Sequence, residues 1–177
     1  MTAGVLLYPL FSEYEISVAL SILKQGHHPI LTIGTTSEAI VGESDLTCLA
    51  DTTIAEVEIS RLDCIILPGC MDISTLFEHA EIIHFLKELD RQQIIFASIS
   101  SSVYLLAKAG ILRERRYTAG LQKEQRDKLG CFNENNYSDQ LVVRDGNIIT
   151  ARGRGFIDFG IAVGQALEID FNPSWYR

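Results

Sequence analysis

The chain of 177 residues contains no apolar run approaching the roughly 18 to 20 residues that a membrane-spanning helix requires. It is poor in basic residues: 15 Lys and Arg stand against 23 Asp and Glu, a net charge of −8. That balance excludes a general nucleic-acid binder, which needs clustered cations to neutralise phosphates, and an anionic membrane surface as partner. The four cysteines, Cys48, Cys64, Cys70 and Cys131, match no zinc-ligand spacing, and no His/Cys/Asp/Glu cluster falls at ligand spacing. No metal and no cofactor is therefore expected. With 47% hydrophobic residues the chain can build a sizeable core and needs no disulfide framework, so reduced cysteines in a cytoplasmic protein are the simplest reading. The apolar N-terminus, Met1–Phe11, lacks a basic stretch and runs at once into Glu13 and Glu15; it reads as a strand, not a signal peptide.

What is present alternates strands with helices. Ala3–Tyr8 is a short apolar run ending at Pro9, as expected of a strand buried on both faces. Ser12 and Glu15 have the spacing of a capping box for a helix that carries Ile16, Ala19, Leu20 and Leu23 on one face and stops at Gly26. A second strand is expected over His28–Gly34, and a small hairpin or excursion over Ile40–Asp51. Asp63–Leu67 is an apolar strand closed by Pro68-Gly69, followed by an amphipathic helix over Ala80–Gln92. Ile94–Ile99 is a strand, Ser102–Ala109 a helix with Gly110 as its left-handed stop, and Asp145-Gly146 marks a hairpin between Leu141–Arg144 and Asn147–Ala151. Phe156–Leu167 is the last helix. The pattern predicts a three-layer α/β/α sandwich on a mostly parallel sheet, with a small C-terminal β-hairpin. Residues 1–170 are read as one domain and 171–177 as a tail.

In such sheets ligands bind outside the carboxyl ends of the strands, so three strand ends matter most: Tyr8-Pro9, Pro68-Gly69-Cys70 and Ser98-Ile99-Ser100-Ser101-Ser102. The last joins an apolar strand to a helix with no loop between them. Small residues at both two-residue offsets from Ser100 permit a strained turn that lifts the central side chain above the sheet, like G-x-S-x-G with serines for glycines. The Ser101 N–H would then face a developing oxyanion. Serine-rich strand ends are also common, and Ser102 could simply cap its helix.

These segments together resemble the ThiJ/PfpI superfamily, with its class I glutamine amidotransferase-like, flavodoxin-like fold. The carriers are Glu13-Tyr14-Glu15, Asp63-Cys64-Ile65-Ile66-Leu67-Pro68-Gly69-Cys70, Ile99-Ser100-Ser101-Ser102 with Leu106–Leu112, and Ile149-Thr150-Ala151-Arg152-Gly153. The resemblance runs from about Ala3 to Leu167. It implies a homodimer, and a pocket in which Glu15 sits beside the nucleophile. In the family that nucleophile is a cysteine; the matching residue here is Ser100. It also implies an oxyanion hole lined by the turn at Cys70, where the family has a second glycine. A histidine that many relatives carry is absent: Ser101 and Thr118–Leu121 stand in the corresponding places, and His27, His28, His79 and His84 match no catalytic position.

Three functions follow from the resemblance. The first is an atypical member without thiolate chemistry that binds a small carbonyl-bearing or anionic metabolite. The second is a serine-dependent hydrolase or hydratase acting on an amide, ester, isocyanide or dicarbonyl, with Ser100 as nucleophile and Glu15 as proton acceptor. The third is a regulatory ligand-binding protein acting through a partner; the resemblance also implies a place in stress response. The candidate site is Ser100 and Glu15 at the centre, Cys70 and Ser101 as oxyanion donors, and Gly69 and Arg152 on the ligand. Arg113, Arg115 and Arg116 read as a solvated basic run. Ser100 is expected in a strained backbone conformation, with Glu15 buried in the same pocket.

Overall fold

A computed structural model describes all residues from Met1 to Arg177. Strands β1 (Thr2–Leu7), β2 (Ile30–Gly34), β6 (Leu62–Leu67), β7 (Ile95–Ile99), β8 (Val142–Asp145) and β9 (Ile148–Ala151) join the short β5 (Thr52–Thr53) in one seven-stranded sheet. Its order is β5-β2-β1-β6-β7-β9-β8, parallel throughout except for the antiparallel β8–β9 hairpin. A second sheet is the two-stranded hairpin of β3 (Ile40–Val41) and β4 (Thr47–Cys48), the excursion expected between the second and third sheet strands. The helices are α1 (Glu13–Gln25), α2 (Ala80–Asp90), α3 (Val103–Ala109), α4 (Lys123–Leu129) and α5 (Phe156–Ala166).

The topology itself locates a crevice. From β1 the chain crosses through α1 to β2 in one direction; from β6 it crosses through α2 to β7, and from β7 on to β9, in the other. Right-handed crossovers running opposite ways put α1 on one face and α2 and α3 on the other. α5 returns to pack along α1. The order reverses between β1 and β6, and at such a switch point the loops leaving the strand ends part and open a crevice. Glu15 follows β1, Gly69 follows β6 and Ser100 follows β7, so all three lie at that opening.

Forty-one buried side chains form one continuous core through both faces of the sheet. The central strands are buried at all but one residue each, which is why β1, β6 and β7 read as apolar runs without alternation. No helix is long and apolar enough to cross a membrane. The last residues lie against α1 and α5: Tyr176 Oη is 2.8 Å from Ser21 Oγ, and Arg177 pairs with Asp158 at 2.7 Å.

Two local expectations are corrected. Ser12 precedes α1 but makes no side-chain cap; its hydroxyl donates to Glu43 at 2.7 Å, and Glu15 turns toward the crevice instead of closing a capping box. The left-handed residue after α1 is His27, at φ +54°, while Gly26 has φ −84°. Gly26 is needed for proximity: a Cβ there would come within 2.1 Å of Ile169 Cγ2. Helix α4 and strand β5 carry no sequence signal, the first because Lys123–Leu129 has no apolar period, the second because it is two residues long.

Candidate functional site

Ser100 follows β7 directly and adopts φ +64°, a left-handed conformation that costs a residue with a Cβ about 1 kcal/mol or more. The turn is held from beneath and above. Ser102 does not cap α3; its Oγ lies 2.8 Å from the Leu67 carbonyl and 2.7 Å from that of Ile99, and accepts the Ile99 N–H at 3.1 Å. It thus ties the end of β6 to the end of β7 below the turn. Above it, the Gly120 N–H donates to the Ser100 carbonyl at 3.0 Å. Tyr8, fully buried, donates its hydroxyl to the Pro68 carbonyl and fixes the neighbouring turn.

Glu15 is 3% exposed. Its Oε2 accepts the Gly69 N–H at 2.8 Å, and Oε1 accepts the Tyr14 hydroxyl at 3.3 Å. Burial pushes its pKa above the ordinary carboxylate range, while hydrogen bonding from the Ser100 hydroxyl and the Gly69 N–H pulls the other way. Glycine backbones crowd this pair. A Cβ on Gly69 would lie 2.3 Å from Glu15 Oε2, one on Gly153 2.4 Å from Oε1, and one on Gly120 2.7 Å from Ser100 Oγ. Side chains at these three positions are excluded by the serine and the carboxyl they surround.

The neighbouring thiol is quiet. Burial pushes Cys70 up to about 11, against the opposing effect of the Ser101 hydroxyl, so at neutral pH it is a thiol and a poor nucleophile. The Cys70 N–H, expected to face an oxyanion, donates to Ser101 Oγ at 3.0 Å. Arg152, expected on a ligand, is engaged by the Tyr137 hydroxyl and the Asp139 carboxylate, and its Nε is buried without an acceptor.

A cavity of about 690 Å³ opens beside Ser100 between the Gly120 and Gly153 segments. Its far wall holds residues that the sequence reading missed. Arg126, 4% exposed, binds both oxygens of Glu134 at 2.7 and 2.8 Å and the Leu121 carbonyl at 2.6 Å, and stacks 3.7 Å above the Tyr137 ring. It fixes the segment that presses Gly120 onto Ser100. A lone arginine in a polar stretch gives no signal for this in sequence. Tyr14 was legible only as part of the acidic segment, and Gly120 only as a place without a histidine. Arg115 and Arg116 lie away from the cavity and clamp Asp145 at the end of β8, at 3.4 Å and, through the Arg116 N–H, 2.9 Å.

A flavodoxin-like sheet, a left-handed residue at the β7 end and a buried glutamate beside it define the class of protein. The chain belongs to the DJ-1/PfpI family, whose pattern it matches over residues 1–165. It is 28% identical over 172 residues to protein dj-1beta of Drosophila melanogaster, covering 94% of this chain and 89% of that protein. It is 26% identical over 157 residues to the glutathione-independent glyoxalase DJR-1.2 of Caenorhabditis elegans, covering 88% and 82%. Among solved structures, a DJ-1 superfamily protein from Salmonella typhimurium superposes with a TM-score of 0.81 at 29% identity, over 97% of this chain and 92% of that one. Other relatives are named deglycase and protease, so a relative's name does not carry one reaction to this chain.

Proposed function

We propose that this protein binds a small metabolite in the cavity beside Ser100 without the family's thiolate chemistry, Ser100 standing where relatives carry the nucleophilic cysteine. This reading is carried by the left-handed Ser100 with a buried carboxyl beside it and no histidine among the residues that line the cavity. A serine hydroxyl needs an adjacent base to attack. Burial disfavours the ionised form of Glu15 and so weakens it as a base for Ser100. Ser100 lines the cavity, where its hydroxyl positions the carbonyl or similar polar group of the ligand. Cys70, with its raised pKa, does not substitute for the missing thiolate.

The second reading, a serine-dependent hydrolase or hydratase, is favoured by the direct approach of Glu15 to Ser100 and requires Glu15 ionised. One experiment separates them. Intact protein is treated with a fluorophosphonate and weighed, and turnover is assayed on a panel of isocyanides and dicarbonyls. Binding without chemistry predicts no mass adduct and no turnover above a Ser100→Ala control. An adduct that maps to Ser100, or turnover that the control loses, establishes the hydrolase reading instead.

A further inference from the structure

The cavity beside Ser100 has an electrostatic character opposite to that of the whole protein. The chain carries a net charge of −8, yet four cations, Lys123, Arg126, Arg152 and Arg154, line the cavity against two carboxylates, Glu134 and Asp139. The four are not equivalent. Arg126 is consumed by Glu134, both of whose oxygens it holds, and Lys123 is turned to Asp127 at 2.6 Å. Arg154 is exposed and takes part in none of the protein's ion pairs.

Arg152 is held incompletely. Asp139 meets it through a single contact to Nη2, and the Asp139 side chain is 89% exposed. An ion pair with one partner so fully in water contributes little, so it opens at small cost. The other donor on the same edge of the guanidinium, Nε, is buried with no acceptor at all. A guanidinium edge offers Nε and Nη2 as a parallel pair that matches two oxygens of a carboxylate or phosphate. Asp139 and the Tyr137 hydroxyl share Nη2 and leave the buried Nε empty, a condition native proteins seldom tolerate without a use for the group.

We propose that Arg152 and Arg154 form a subsite for the carboxylate or phosphate group of a small anionic metabolite, and that Asp139 is the internal competitor which the ligand displaces. The proposal rests on the reading of the cavity as a ligand pocket and names its ligand class. The oxyanion takes the Nε/Nη2 edge of Arg152 and the charge of Arg154, and the uncharged end of the molecule extends toward Ser100. Cations gathered in a cleft of an acidic protein also focus the field there and draw anions to it while the remaining surface repels them.

The two removable charges act in opposite directions, which gives the test its force. The full-length protein is titrated, at low salt, with pyruvate, inorganic phosphate and the neutral methyl ester of pyruvate, following the amide resonances of Gly120 and Gly153. At least one of the two anions is expected to shift both amides saturably. Pyruvate alone identifies a carboxylate subsite, phosphate alone a phosphoryl subsite, and either result supports the proposal. Asp139→Asn should tighten binding of that anion by about threefold or more, and Arg154→Gln should weaken it by about five- to tenfold, with the wild-type affinity falling as salt screens the charges. Both variants lie on exposed side chains, and an unchanged circular dichroism melt shows that they fold. Failure of both anions to shift the amides overturns the proposal, as does an Asp139→Asn variant that binds no tighter than wild type. A saturable shift by the methyl ester with no response to either anion overturns the anionic class while leaving the pocket reading standing.

Discussion

The short helix α3 is entered and left through residues in the same rare backbone conformation, but the chain solves the two ends differently. At the exit Gly110 takes φ +83° with no Cβ to strain; at the entrance Ser100 takes φ +64° and bears the cost. The exit is a helix terminator, where the cheapest residue was free to settle. At the entrance the strain is retained and the surroundings enforce it: Ser102 ties the strand ends below, the Gly120 N–H bonds from above, and the backbones at Gly69, Gly120 and Gly153 approach Ser100 and Glu15 too closely to carry a Cβ.

Breaking the enforcement should have the largest effect. Gly120→Ala sets a Cβ 2.7 Å from Ser100 Oγ and 2.9 Å from Ser100 Cα, so backbone has to shift. A loss of about 2 to 3 kcal/mol in denaturant unfolding is expected, together with loss of the Ser100-side amide shifts on ligand titration. Arg126→Met should cost about 2 kcal/mol, since it leaves the Glu134 carboxylate with only the Tyr117 hydroxyl and frees the segment carrying Gly120; Arg126→Lys should recover only part of this, because it cannot hold both oxygens. Gly110→Ala isolates the exit. It should cost about 1 kcal/mol, through the backbone alone, because the nearest group to the new Cβ is the flexible Arg113 side chain at 3.3 Å. Ligand binding in that variant should be unchanged.

Glu15 sharpens the comparison through pH. Burial raises its pKa in the folded state, so the folded protein keeps the proton at pH values where the unfolded chain has released it. The unfolded state then binds fewer protons, and stability falls as pH rises from the ordinary carboxylate range through the folded value. Glu15→Gln keeps an acceptor for the Gly69 N–H and escapes that loss. Thermal unfolding of the variant should match wild type near pH 4 and exceed it near pH 7. A wild-type advantage that grows with pH would show that the carboxyl is held ionised, as the hydrolase reading needs.

The difference between the two ends of α3 also measures what the sequence makes legible. Gly110 and Gly146 announce a helix stop and a hairpin turn directly, since glycine at those places has one physical use. The sheet and its order of elements followed from apolar runs at β1, β6 and β7 and from the periodic helices between them. The strained turn at Ser100 was legible from the missing loop and the small residues around it. Its enforcement was not. Ser102 looked like a helix cap and turned out to bond backward across two strands, because the residue after a left-handed turn faces the sheet and not the helix end. Arg126 and Tyr137 sit in a polar stretch without periodicity, and their stacking depends on residues brought together by the fold. Gly26 read as a conformational stop when its need is contact with Ile169.

On the reading proposed above, Ser100 is kept in its strained conformation for the sake of its hydroxyl in the pocket. The most direct measurement compares the stability and ligand binding of Ser100→Gly and Ser100→Ala. Glycine relieves the left-handed strain and alanine preserves it, while both remove the hydroxyl. Ser100→Gly is expected to be more stable than Ser100→Ala by about 1 kcal/mol, and both to lose affinity for whichever small probe shifts the Gly120 and Gly153 amides of the wild type. Equal stability of the two variants, or binding that survives in both, would contradict that reading.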